Sequence, residues 1–397
     1  MKNTLPFLLS LALAATGAAA ETTGEPELLP GETPEDRARN ISLKLEIERS
    51  IERGVGFLEA IQSEDGSWGN MPLPALTALP AHAILGDPRF RRGEGVEVPD
   101  SARKALDLVL SHQQESGGIY TRGLASYNTS IAIMALLAAD DPAYHDAIRT
   151  ARAFLVQQQN WIGEPGDTSD PVSGGIGYGN SLPHSDLSNT HLALEALYHS
   201  RVLVEDEGPD TPDLDWDAAL TFISRTQNLP ETNDQPWASD IESERGGFIY
   251  TPVESKAGEF TLPGGGTGLR SYGSMTYSGL LSLIYADVDS DDPRVIAAKE
   301  WLERHYSLDE NPRLGYQGLF YYFHTMAKAL TAAGVRELNT ADGRSVDWKQ
   351  ELALRLFDLQ RTDGSWVNEG SARWMEDDGS LVTAYALLTL QHIYYNL

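Results

Sequence analysis

Glu195 has a histidine four residues to either side, His191 and His199. On a helix that spacing puts a carboxylate and two imidazoles on one face. A Glu–His pair there does general acid–base work, with burial raising the glutamate's pKa, or it is a hydrogen bond that fixes packing; the residues alone leave both open. One metal ion held by all three is disfavoured, because i, i+4 and i+8 span two helical turns. The chain has no cysteine among its 397 residues. That removes disulfides, thiol nucleophiles and cysteine-held zinc or iron–sulfur centres, and no cofactor and no metal are expected. The acidic run Asp287-Val288-Asp289-Ser290-Asp291-Asp292 precedes Pro293 and reads as a turn with a helix N-cap, or as a weak cation loop. Tyrosines admit three readings: core, walls that stabilise a carbocation, or platforms for sugar rings. The stretch Tyr316 to His324 carries aromatics on every face of its helix, so some point inward and some outward.

These residues sit on a scaffold built by repetition. Each unit runs from an amphipathic helix through a Gly-rich connection to a second, almost wholly apolar helix that begins near a Thr. The first helices are predicted near Lys44–Ile61, Ser101–Gln113, Tyr144–Gln159, Trp216–Gln227, Arg294–Tyr306 and Trp348–Gln360. The second are predicted near Ala75–Leu85, Asn128–Ala139, Asn189–Val202, Thr276–Ala286, Gly318–Ala333 and Leu381–Tyr395. The first set shows helical spacing on one face (Ile47, Ile51, Val55, Leu58), whereas the second is apolar all round and so buried. The step from Lys44 to Trp348 covers five repeats, a period of about 60 residues. Units that alternate an exposed with a buried helix bury their apolar sides only by stacking. Six such pairs closing on themselves make an all-α (α/α)6 toroid, two concentric rings around a cavity; closure is expected because both terminal units carry full apolar inner helices. The long links, Asn160–Asp186 and Asn228–Tyr272, fall at one end of the barrel, where loops carry function.

The first unit, Arg53-Gly-Val-Gly-Phe57-Leu58-Glu-Ala-Ile-Gln62-Ser-Glu-Asp-Gly66-Ser-Trp68, resembles the QW motif of squalene cyclases at every defined position. The last unit repeats its end as Gln360-Arg-Thr-Asp-Gly364-Ser-Trp366. Middle units keep Gln113, Gln159 and Gln227 followed by Gly117-Gly118-Ile119, Gly174-Gly175-Ile176 and Gly246-Gly247-Phe248, a turn similar to that of protein-prenyltransferase β-subunits. The resemblance covers Lys44 to Leu397. It is a fold signature: the Gln amide satisfies open backbone groups at a helix end and the Trp covers it.

The resemblance implies that chemistry lies on the inner helices. Squalene–hopene cyclases protonate their substrate from an Asp-x-Asp-Asp-Thr segment whose middle Asp is the acid. Here the match is Asp186-Leu187-Ser188-Asn189-Thr190, with Ser188 at the acid's position. A serine hydroxyl does not protonate an alkene, so ordinary polycyclisation is in doubt. Protein prenyltransferases and thioester toroids both need a cysteine. With the recurring Thr (Thr77, Thr129, Thr190, Thr276, Thr383) as register, lumen-facing positions become Ser188, His191 and Glu195 on the third inner helix, and His82, Met134, Tyr277 and Tyr385 elsewhere. Tyr321, Tyr322 and His324 are placed only loosely, since the fifth inner helix lacks the aligned Thr. The expected catalytic groups are thus Asp186, His191 and Glu195. The expected binding groups are His82, Ser188, Tyr277, Tyr322 and Tyr385.

Residues 1–20 read as a signal peptide, with Lys2, an apolar run from Leu5 to Ala15, and Ala18-Ala19-Ala20 before Glu21. Residues 21–40, with Pro26, Pro30, Pro34 and six acidic residues, read as a disordered linker; residues 41–397 form the toroid. The expected setting is therefore periplasmic or extracellular, with no integral membrane segment after cleavage. A net charge of −28 repels nucleic acid and anionic headgroups. Three functions remain: a cyclase-like isomerase acting on an isoprenoid with a different acid, a lyase-type carbohydrate enzyme, and a noncatalytic ligand-binding toroid. The corresponding partner is a hydrophobic small molecule or a glycan in the central cavity.

Overall fold

The computed structural model describes residues 33–69, 71–91, 98–179, 184–206, 208 and 211–397; the expected signal peptide lies outside them. Twelve long helices alternate as the repeats require. The outer ring is α1 (Pro34–Ile61), α4 (Asp100–Ser111), α6 (His145–Val156), α8 (Trp216–Ser224), α10 (Pro293–Arg304) and α12 (Trp348–Leu359). The inner ring is α2 (Pro74–Leu85), α5 (Ala125–Ala138), α7 (Leu187–Ser200), α9 (Gly273–Tyr285), α11 (Leu319–Ala332) and α13 (Gly379–Tyr395), and one extra turn, α3 (Pro88–Arg91), follows α2. Each inner helix packs on the next in chain order, and α13 packs on α2, so the ring closes. Two small antiparallel hairpins, Glu259–Thr261 with Thr267–Leu269 and Leu338–Asn339 with Ser345–Val346, decorate the links. Among the described residues no helix is long and apolar enough to cross a membrane.

One expectation is corrected at the start of the ring. Residues 34–40, assigned above to a disordered linker, are the first turns of α1. Thr33 accepts the Arg37 backbone N–H through its carbonyl, and Pro34 stands at the first helical position, where a missing N–H costs nothing.

The glutamines do more than finish a helix. Each bridges the turn of its own unit to the next outer helix. Gln62 Nε2 donates to the Gly66 and Ser101 carbonyls (3.0 and 2.8 Å), Gln159 Nε2 to those of Gly174 and Asp215 (2.9 and 2.9 Å), and Gln227 Nε2 to those of Gly246 and Arg294 (3.0 and 2.9 Å). Gln113 does the same with Gly117 and Ala147, and Gln360 Nε2 closes the circle with Gly364 and Ser50 (3.0 and 2.9 Å). The fifth unit has no such Gln, and its seam is made by Arg355 Nε to the Leu308 carbonyl (3.1 Å). The turn glycine is required twice over. Gly246 has φ +91° and a Cβ there would lie 2.0 Å from the Ala297 carbonyl oxygen of the neighbouring helix. The recurring Thr ties the same turn to the inner helix, its Oγ1 accepting from the N–H of Ile119, Ile176, Phe248 or Trp366 (2.9–3.0 Å). Trp68 and Trp366 are buried with Nε1 on the carbonyls of Leu58 and Leu356 (2.8 Å each). Asp292, from the acidic run, caps α10 by accepting from the Arg294 N–H (2.9 Å).

Candidate functional site in the lumen

All six links from outer to inner helix emerge at the end where the inner helices start, and the site descends from there. Near the mouth, Asp186 caps α7. It accepts from the Asn189 N–H and Nδ2 (2.8 and 2.7 Å), and His184 Nε2 lies 3.6 Å away. Burial pushes its carboxyl up, against those hydrogen bonds and the neighbouring His184 and Tyr250. Tyr250 donates to the Tyr178 hydroxyl (3.3 Å), and Tyr178 is exposed at the rim. Asp186 is therefore committed to holding the end of α7, and the lumen begins one residue pair further on.

Ser188, on the first turn of α7, faces inward. Its Oγ lies 3.4 Å from the Tyr321 hydroxyl of α11, which lies 3.2 Å from Ser278 Oγ of α9. Tyr321 stands edge-on to Tyr385 of α13 (centroids 6.0 Å), whose hydroxyl pairs with Tyr127 of α5. Burial pushes Tyr127 up to about 12, so these phenols are neutral donors and acceptors at physiological pH. Tyr321 is aimed by a carboxyl at the start of its helix: its backbone N–H donates to Glu376 Oε1 (2.9 Å), a group that burial pushes up to about 7 against those donors.

One to two turns deeper the chemistry changes. Glu195 of α7 is ion-paired across the ring with Lys328 of α11, both nearly buried. Burial alone would raise the Glu195 pKa, but the Lys328 ammonium, with His191 and His199 adding to it, reverses the sign and holds it below the ordinary carboxylate range. This corrects two expectations. The glutamate's partner is a lysine on another helix and not His191, and its pKa moves down, because the compensating charge comes from far along the chain. His199 instead packs edge-on against Tyr198 and Tyr285 (5.3 and 5.8 Å). His191 is fully buried, and burial with the Lys328 charge holds it down to about 3. His324 lies 5.6 Å from the Tyr385 ring and 5.9 Å from His392, and burial with Lys328 lowers both imidazoles. His82, on α2, is half-buried and near enough to His324 and His392 to contribute to the lowering of both.

Two expected binding residues face away from the lumen. Tyr277 and Tyr322 pack on each other (5.6 Å) between α9 and α11, and the Tyr322 hydroxyl donates to the Ser307 carbonyl in an outer link (2.9 Å). Phe248 sets this rotation by pressing on α9 at Gly279, where a Cβ would meet its ring at 2.4 Å. Ser278 is turned to the lumen as a result. Lys328, Tyr321, Tyr127, His392 and Ser278 are inward residues that sequence reasoning did not select. A visible signal existed on α11, since Tyr321, His324 and Lys328 form one i, i+3, i+7 stripe with a lone charge in an otherwise apolar helix. Tyr127, Ser188, Tyr321, His82 and His392, carried by five of the six inner helices, stay only partly buried. Around the mouth, five of the six links present an exposed large apolar side chain: Met71, Tyr178, Val253, Tyr316 and Trp374.

The ring, its Gln–Gly seams and its polar lumen define a squalene-cyclase-like α/α toroid with the fold of type II terpene cyclases. The chain is similar, at 31% identity over 183 residues, to the squalene–hopene cyclase of Zymomonas mobilis; the match takes in 41% of this chain and 28% of that relative, well under two thirds of its length. In fold it is similar to a variant of the type II terpene cyclase MstE from Scytonema (TM-score 0.52, 14% identity, 89% of this chain and 99% of that one). Another variant, in complex with its substrate geranylgeranyl dihydroxybenzoate, superposes equally well (TM-score 0.52, 14% identity, 90% and 100%). No protein-family model matches the chain.

Proposed function

We propose that the protein takes an isoprenoid-type amphiphile through the apolar rim into the lumen, and that it does not start a proton-initiated cyclisation there. The observation that carries this is the lumen wall itself. At the position of the cyclase acid stands Ser188, engaged with the Tyr321 hydroxyl. The deeper wall is an ion pair among neutral imidazoles and not a carboxylic acid free to protonate an alkene. Met71, Tyr178, Val253, Tyr316 and Trp374, each exposed on a different outer-to-inner link, offer apolar contacts to a hydrophobic ligand. The MstE neighbour, whose substrate joins a geranylgeranyl chain to a dihydroxybenzoate, supports the ligand class.

The test is incubation with squalene and with geranylgeranylated phenols, followed by product analysis and by binding measured through tryptophan and tyrosine fluorescence. Saturable binding of the amphiphile without a cyclised product is expected. A cyclised product that disappears in Glu195→Gln would return the protein to the cyclases proper. We further propose export, supported by the composition of residues 1–20; mass spectrometry of the protein from cell fractions should find a chain beginning at Glu21 outside the cytoplasm.

A further inference from the structure

Uptake through the rim leaves the deep end of the lumen without a task. Lys328 is almost completely buried, and its ammonium carries three N–H donors, of which Glu195 takes one. Beside it, neither ring nitrogen of His191 makes a hydrogen bond of good geometry among the described residues, although the Ser188 carbonyl one turn back lies close enough to act on the ring. Nδ1 of His324 is likewise without a partner there. Buried polar atoms of this kind are costly when they meet nothing, and here they converge from α7 and α11 on one space that His82 and His392 also line.

We propose that the deep lumen is a binding site for the carboxylate head group of an isoprenoid or similar long-chain acid. The choice of class follows from charge and donors. A metal cation is opposed by Lys328, whose charge every neighbouring histidine feels as repulsion, and no three His, Asp or Glu side chains among the described residues are arranged to hold one. A hydrocarbon end would leave the Lys328 and imidazole donors unmet. A carboxylate supplies acceptors for the remaining Lys328 N–H groups and for a neutral imidazole N–H, charge-assisted bonds that offset the repulsion from the ionised Glu195 on the other side of the ammonium. The tail would then rise past the Tyr127–Tyr385–Tyr321 tier toward the rim. Cationic side chains stand over aromatic rings there, Arg373 over Trp374 (4.6 Å) and Lys256 over Tyr250 (4.4 Å).

This inference rests on the proposed function, since it assumes that the lumen admits such a lipid. Farnesoic acid and farnesol, which differ only at the head, separate the two ideas when titrated calorimetrically into the full-length protein below their aggregation concentrations. The acid should bind at least about tenfold tighter than the alcohol. His191→Leu and His324→Leu leave the ion pair in place, and each should narrow that gap, read as the ratio of acid to alcohol affinity within the same variant. Lys328→Met paired with Glu195→Met should abolish the gap, and circular dichroism checks that each variant is folded. Equal affinities, or a gap untouched by all three variants, overturn the head-group site while leaving the lipid reading intact. If neither compound binds, both readings fall.

Discussion

The seams of the ring and its lumen solve opposite problems with the same inventory of residues. At the seams one device recurs: an amide, a left-handed glycine and a Thr hydroxyl meet with nearly identical distances in unit after unit. Within the lumen no such device recurs: histidines and tyrosines come from several inner helices in different surroundings, and some of them, such as His191 and His324 Nδ1, lack hydrogen-bond partners among the described residues. Repeated polar groups with the same partners in each unit mark architecture, whereas the unpartnered imidazoles of His191 and His324 stand where a ligand can be met.

Damage to a seam should cost the most. Trp366→Ala removes a fully buried indole and its hydrogen bond to Leu356, and should lower stability by about 4 kcal/mol in urea unfolding. Next comes the ion pair of the lumen. Glu195→Gln leaves Lys328 charged, buried and unpaired, with an expected loss of about 3 kcal/mol; the double replacement by methionine should recover most of it, and a double-mutant cycle checks this.

Acid tests the lumen without any mutation. The folded pKa of His191 is depressed to about 3 against 6.5 unfolded, so the unfolded chain binds the proton first. The histidine's contribution is whole above pH 6.5 and is lost as pH falls from 6.5 toward 3, by roughly 1 kcal/mol per pH unit. His392 of α13 is shifted the same way. Thermal melts between about pH 7 and 4 should therefore show a falling midpoint, with a shallower fall in His191→Leu. The smallest effect contrasts two adjacent tyrosines. Tyr322→Phe loses the bond to Ser307 and about 1 kcal/mol of stability with ligand binding intact, while Tyr321→Phe should change ligand affinity more than stability.

The ring was legible because its information is periodic. Gln62, Gly66 and Trp68 recur as Gln360, Gly364 and Trp366, and the apolar inner helices can be buried only by neighbours like themselves. The lumen was legible only in part. The Thr register grouped Ser188, His191 and Glu195 on one face of α7, where Ser188 meets Tyr321 and Glu195 meets Lys328, both of α11. It failed on α9, where Phe248 against Gly279 fixes a rotation that a one-residue offset from Thr276 does not reveal. On α11, which lacks the Thr, it gave no choice between Tyr321 and Tyr322. The partner of Glu195 is 133 residues away, and no local spacing encodes a contact made by two helices that are not sequence neighbours.

The bond from Gln360 to Ser50 also changes how the molecule comes apart. An open stack of repeats frays from its ends, since a terminal unit detaches by losing a single interface. Here the unit made of α1 and α2 is gripped on both sides, by α12 and α13 on one and by α4 and α5 on the other. Detaching any unit must rupture two interfaces at once, which makes the lowest partial opening nearly as costly as a much larger one. Such a circle unfolds as one cooperative body, and its lumen keeps its shape until the whole ring yields.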